Sequence, residues 1–164
     1  MDNWHQSQRG YFAGALYDAM LADDSIYLIV VDLGYATFDR HFKSFPNRCI
    51  NTGASEQAAV GIAVGLAESG MKPFVYTITS FFLRAAETIS LYVEHEQVPV
   101  VLVGAGREDD YLHDGYTHFG YASEKFLSTN MHLVSYYPKD KLDVPNIIKK
   151  MVKSKTPTFI SLKR

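Results

Sequence analysis

The chain has 164 residues with 16 Lys and Arg against 18 Asp and Glu, a formal net charge of -2 at pH 7. That balance leaves none of the basic footprint that nucleic-acid binding requires. The length suits one domain burying roughly 70 % of its unfolded surface, and no apolar run approaches the ~20 residues of a membrane span.

The single Cys49 forms no internal disulfide. The opening Met1-Asp2-Asn3-Trp4-His5-Gln6 has neither the basic nor the apolar region of a secretory signal. The expected setting is therefore cytoplasmic, with small molecules or other proteins as partners.

In chain order, Tyr11, Phe12, Ala15, Leu16 and Met20 recur at helical spacing and predict an opening helix. Residues 25–31 form a short aliphatic run of the kind that parallel sheets bury. Further strands are predicted at residues 48–50, 72–77, 98–104, 132–135 and 158–162. Helices are predicted between them, at residues 55–69, 81–93, 120–128 and 141–153. This βαβ rhythm predicts an α/β fold, a three-layer α/β/α sandwich around a mostly parallel sheet. Ligands of such sheets bind beyond the carboxyl ends of the strands, where Glu56, residues 77–81 and residues 104–118 fall.

The densest signal is Asn51-Thr52-Gly53-Ala54-Ser55-Glu56-Gln57, running into a helix built largely of Ala, Gly and Val. Ser55 is placed to cap that helix, and Glu56 lies in its first turn, where free amide hydrogens favour an anion. Read from position alone, Glu56 either stabilises its helix or faces a ligand. Gly61 and Gly65 lie four apart on one helical face, which serves close packing either on the protein's own sheet or on another subunit.

These residues carry a resemblance. The Gly-x-x-Glu-Gln helix entry, Lys72-Pro73-Phe74-Val75, Phe81-Phe82-Leu83-Arg84-Ala85-Ala86-Glu87 and Asp114-Gly115-Tyr116-Thr117-His118 together resemble the pyrimidine-binding domain of transketolase and 1-deoxyxylulose-5-phosphate synthase. The resemblance implies the thiamine diphosphate-binding fold and that cofactor, held between two domains. It implies that Glu56 activates the cofactor by hydrogen bonding to the aminopyrimidine, and that Phe81 packs on the pyrimidine face. Ile78 stands where transketolases carry a second aromatic at the pocket wall. Asp32, in Val31-Asp32-Leu33, matches an aspartate near the thiazolium, the alternative being a strand-end cap.

On the substrate side the resemblance implies Asp114 and His118, with His118 beside the reacting atoms. Arg84 follows the Phe-Leu-x-Arg pattern of the deoxyxylulose-phosphate synthases. It suits a carboxylate or phosphate, or else an ion pair with an acid such as Glu87 or with a partner subunit. The chain departs from transketolases at residues 104–110, where their His-Asp pair is missing.

No Gly-Asp-Gly with paired asparagines is present, so the diphosphate and Mg2+ are expected on a partner subunit, and no metal ligands are expected here. Thr156 to Arg164 resembles the last strand of the pyrimidine domain. Residues 1–164 are thus expected to form one pyrimidine-binding domain, without the diphosphate-binding domain or the third transketolase domain. The expected protein is the small subunit of a split transketolase-like enzyme that moves a two-carbon ketol unit of a sugar. Self-association at a two-fold interface through Gly61 and Gly65 would give an α2β2 assembly. The alternatives are a subunit of a two-chain 2-oxoacid decarboxylase and a non-catalytic remnant of the fold.

Overall fold

A computed structural model describes residues 5–164; residues 1–4 of the opening stretch read above lie outside it. Helix α1 (Gln8–Ala22) precedes β1 (Ile26–Val30), α2 (Asp39–Ser44), β2 (Cys49–Asn51), α3 (Glu56–Glu68) and β3 (Lys72–Ile78). After β3 the chain winds through a 3-10 segment (Thr79–Ala85), a single α-turn α4 (Ala86–Thr88) and a π-helical stretch (Ile89–His95) into β4 (Val101–Ala105). Short 3-10 turns at Leu112–Asp114 and Tyr116–His118 lead to α5 (Tyr121–Lys125), β5 (Val134–Tyr136), α6 (Val144–Lys153) and β6 (Thr158–Leu162). No helix among the described residues is long and apolar enough to cross a membrane.

The six strands form one sheet in the order β2-β1-β3-β4-β6-β5, and every pairing is parallel. A parallel strand returns to its starting edge by a crossover, so helices must cover both faces. The strand side chains divide accordingly. Leu28, Val30, Phe74, Tyr76, Val101 and Val103 enter one core with Phe12 and Leu16 of α1 and Ile148 and Met151 of α6. Their neighbours Ile29, Val31, Val75 and Leu102 enter the other, with Ala59, Val60 and Ala63 of α3 and with Phe82, Ile89 and Val93. This alternation of period two is the three-layer architecture expressed residue by residue.

The order of strands reverses at β1. The chain steps from β1 outward to β2, then crosses back to β3 on the other side, and the two crossovers part at the carboxyl end of β1. Such a parting opens a crevice at the strand ends. Six strands match the predicted positions with shifted ends, and so do four of the five predicted helices, α1, α3, α5 and α6, with α5 passing into a π-helical stretch at Phe126–Asn130. Helix α2 is an addition to the sequence reading, and residues 79–95 are a composite rather than one α-helix.

Helix α2 brings His41 into the first core at 0 % exposure. Its Nε2 lies 3.0 Å from the Ala13 carbonyl, and its ring stands edge-on to Tyr17 and Phe38. Burial pushes the imidazole down from 6.5 to about 4; the Ala13 carbonyl opposes this and Arg40 adds to it. Between those values the unfolded chain binds a proton that the folded chain refuses. Stability is therefore full above pH 6.5 and is lost as the pH falls through the window, by about 3 kcal/mol in all. Urea unfolding of wild type and His41→Phe between pH 7 and pH 4 should show a flatter pH dependence in the variant.

Candidate active site

The carboxyl ends of β1, β2, β3 and β4 deliver the residues that the sequence marks. Glu56 follows β2 as the first residue of α3. Its surroundings bury it to 4 % exposure, an expensive position for a carboxylate unless it finds a donor. Arg84 supplies one, with Nη1 donating to Glu56 Oε1 at 2.5 Å. The partner is thus Glu56, 28 residues away, rather than Glu87. Ser55 takes the N-cap position without a side-chain hydrogen bond to the helix, which corrects the expected cap.

The Arg84 guanidinium also lies over the face of Phe81, 4.1 Å from the ring centroid. Phe81 in turn meets His118 in an edge-to-face contact at 5.0 Å. A chain of direct contacts thus runs Glu56, Arg84, Phe81, His118, joining residues from three separate crossovers. Ser80 Oγ ties it to the far loop by donating to the Thr117 carbonyl at 2.7 Å. Thr117 Oγ1 lies 3.0 Å from His118 Nδ1 and helps fix that ring. Ile78 ends β3 in register with Ala105, at the start of the turn that carries Phe81.

Asp114 and Asp32 sit on the same rim but outside this chain of contacts. Asp114 pairs with His113, Oδ2 to Nε2 at 3.2 Å. Asp32 is exposed at a φ of 48°, and its backbone N–H donates to Asn51 Oδ1 at 3.4 Å. It lines a cavity of 310 Å³ with Gly34, Tyr35, Phe38 and Asn51. Gly61 and Gly65 face away from the sheet, and a Cβ at either would meet nothing within 4 Å. They do not pack on the protein's own sheet.

Several contributors escaped the sequence reading because their partners lie far along the chain. Arg9 of α1 donates from Nη1 to the Tyr111 hydroxyl at 2.8 Å. Arg164 lies over the same ring at 5.5 Å, and its Nη1 is 3.3 Å from His113 Nε2. Tyr111 stands 6.3 Å from His118. Two guanidinium groups are thereby brought beside the Asp114 to His118 segment.

A buried polar knot holds the base of that loop. Arg107, 7 % exposed, donates from Nη1 to the Pro138 carbonyl at 3.0 Å and from Nη2 to the Ser161 carbonyl. Ser161 Oγ donates to Glu124 Oε1 at 2.5 Å, and the Gly120 N–H donates to the Glu108 carbonyl at 2.8 Å. Gly106 reaches a φ of +81°, and a Cβ there would strike the Tyr111 ring, so the close approach of loop and ring requires glycine. Burial pushes the Glu124 carboxyl up from 4.5, opposed by the Ser161 hydroxyl, the Glu108 N–H and Arg107.

Residues 5–164 match the transketolase pyrimidine-binding domain. The chain belongs to the transketolase family, as a pyrimidine-binding domain of that family. A probable chloroplastic 1-deoxy-D-xylulose-5-phosphate synthase of Capsicum annuum is 34% identical over 151 residues, covering 87% of this chain and 20% of that protein. An uncharacterized 33.6 kDa protein in the fasciation locus of Rhodococcoides fascians is 34% identical over 109 residues, or 66% of this chain and 35% of that protein.

Among solved structures, an inactive beta4 tetramer of a split-gene transketolase superposes with a TM-score of 0.84 at 25% identity, covering 96% of this chain and 51% of that one. A transketolase from Campylobacter jejuni shares the fold, with a TM-score of 0.82 at 15% identity, over 96% of this chain and 26% of that one. The chain spans about a fifth of the length of the curated synthases that it matches.

Because the folded Glu124 holds its proton above 4.5, its charged form costs stability as the pH rises through the raised value. Glu124→Gln keeps an acceptor for Ser161 and removes that cost. Urea midpoints at pH 8 relative to pH 5 should be higher for the variant than for wild type.

Proposed function

We propose that this chain is the pyrimidine-binding subunit of a split, thiamine diphosphate-dependent transketolase-like enzyme that transfers a two-carbon ketol unit of a ketose or ketose phosphate. The observation that carries the reading is the buried Glu56 carboxylate, aimed across the face of Phe81 at a hydrogen-bond donor. The site suits the cofactor's aminopyrimidine ring. The Arg84 guanidinium already rests there with one N–H on Glu56 and its central carbon 4.1 Å from the Phe81 ring centroid, so the space offers an acceptor and an aromatic face together, as such a ring needs.

When bound, thiamine diphosphate would supply the nucleophilic carbon with which a bond next to a carbonyl is broken and remade. Glu56 would hydrogen-bond a pyrimidine ring nitrogen through a carboxyl oxygen, orienting the ring and moving a proton between that oxygen and the ring nitrogen. Phe81 would hold the ring face and exclude water from it. His118, at the outer edge of Phe81, is placed to pass a proton to or from a substrate oxygen. Asp114 would accept from a substrate hydroxyl, with Arg9 and Arg164 beside it to meet an anionic end of the sugar. Asp32 and Ile78 would line the cofactor's flank.

The diphosphate and its Mg2+ would lie with a partner subunit, and the substrate carbonyl would approach between the two chains. Self-association would use the outer side of the helical layer formed by α3 and residues 79–95. There Gly61 and Gly65 are open, and Ile62, Leu83, Leu91 and Tyr92 are 39% to 51% exposed. Apolar side chains gathered on one layer mark an interaction face.

Glu56→Gln should lower turnover of the reconstituted enzyme by roughly 10²-fold or more, with the mass of the complex unchanged; unchanged turnover would exclude the proposed role. Gly65→Arg should leave the unfolding midpoint of the isolated chain at or above that of wild type, because glycine in a helix interior costs about 0.5–1 kcal/mol relative to alanine. The same variant should lower the mass of the assembly as read by light scattering.

A further inference from the structure

We propose that the Arg84 guanidinium is a built-in stand-in for the cofactor's aminopyrimidine ring, occupying the seat on Glu56 and Phe81 until that ring displaces it. The proposal rests on the reading that Glu56 and Phe81 hold the ring. Two contacts define the seat, an edge hydrogen bond to Glu56 and a face on Phe81. Arg84 makes both at once, at 2.5 Å and 4.1 Å. Guanidinium is flat, delocalised and rich in edge N–H groups, so it imitates a protonated or amino-bearing heterocycle as a lysine ammonium does not.

The stand-in answers a physical problem posed by a buried carboxylate. Glu56 is 4 % exposed, and a carboxylate removed from water without a partner is strongly destabilising. With Arg84 in place, Glu56 is satisfied but has little surface left for another donor. Arg84 itself is loosely held, its side chain 54% exposed. Solvent screens the Arg84 end of the pair, and a cation over an exposed ring adds little, so the cost of displacement lies in leaving Glu56 unpaired, which an incoming ring that hydrogen-bonds Glu56 offsets. A ring anchored also by its diphosphate on a second subunit can outcompete such contacts.

The displaced side chain has somewhere to go. A 400 Å³ cavity borders Arg84 and is lined by Ser80, Phe81, Leu83, Tyr116 and Tyr121 among others. Tyr116 and Tyr121 are 83% and 57% exposed and offer aromatic faces to a cation. Arg84 can therefore leave Glu56 without unfolding the turn that carries it. Arg84 holds Glu56 and Phe81 until the ring takes its place, which makes cofactor capture an exchange rather than a simple insertion.

The test uses the full chain and, as probe, 4-amino-5-hydroxymethyl-2-methylpyrimidine, the uncharged aminopyrimidine half of thiamine. Binding is followed by NMR titration of arginine-labelled wild type and by calorimetry of wild type, Arg84→Ala and Arg84→Lys. Arg84→Ala should bind the probe roughly tenfold tighter than wild type, with Arg84→Lys in between. In wild type the Arg84 guanidinium signals should lose their Phe81 ring-current shift as the probe saturates. Equal affinity in wild type and Arg84→Ala, or Arg84 signals unmoved at saturation, overturns the stand-in while leaving the pyrimidine seat intact. A probe that binds none of the three chains removes the seat itself, and the stand-in with it.

Discussion

A carboxylate taken out of water has to be given a donor, and the site is organised around how Glu56 meets that requirement. The Glu56 side chain is fixed at the start of α3, where its own helix offers amide hydrogens but its carboxylate points toward the turn after β3. Satisfying it draws in Arg84. Arg84 brings its guanidinium over Phe81, and Phe81 meets His118 through an edge contact. One desolvated charge thus orders residues from three crossovers that share no local sequence.

The parallel sheet makes that convergence possible. Every crossover returns to the same edge, so the segments after β2, β3 and β4 must meet above the carboxyl ends of the strands. The loop after β4 is then held from beneath. Arg107 is spent on two carbonyls and Glu124 on the Ser161 hydroxyl, leaving the tip at residues 111–118 on the rim above the strand ends. The division resembles that of many α/β enzymes, with a rigid base under an exposed functional loop.

The layers of this fold were legible because each strand is a short apolar run closed by Gly, Pro or polar residues, and each long helix shows its own spacing. Helix α2 was not, because six residues with Phe38 and Phe45 at its ends give too little periodicity to register. Residues 81–93 read as one helix since their apolar positions suit it, but tertiary packing against α3 and β4 tightens the start of the segment and widens its end. In the site, Glu56, Phe81 and His118 stand out by motif. The Arg84 partnership does not, since proximity along the chain favours Glu87 and only folding brings Glu56 within reach. The same holds for Arg9 and Arg164, which meet at Tyr111 from opposite ends of the sequence.

The margins of the sheet carry a last consequence. Both outermost strands, β2 and β5, are only three residues long, so each offers a brief ladder of unpaired backbone groups. A strand of that length is a poor template for edge-to-edge growth, the route by which exposed sheets extend into fibrils. Higher-order contacts of this chain are thereby steered away from main-chain pairing and toward side-chain recognition on its helical layers, where a partner can be selected by shape.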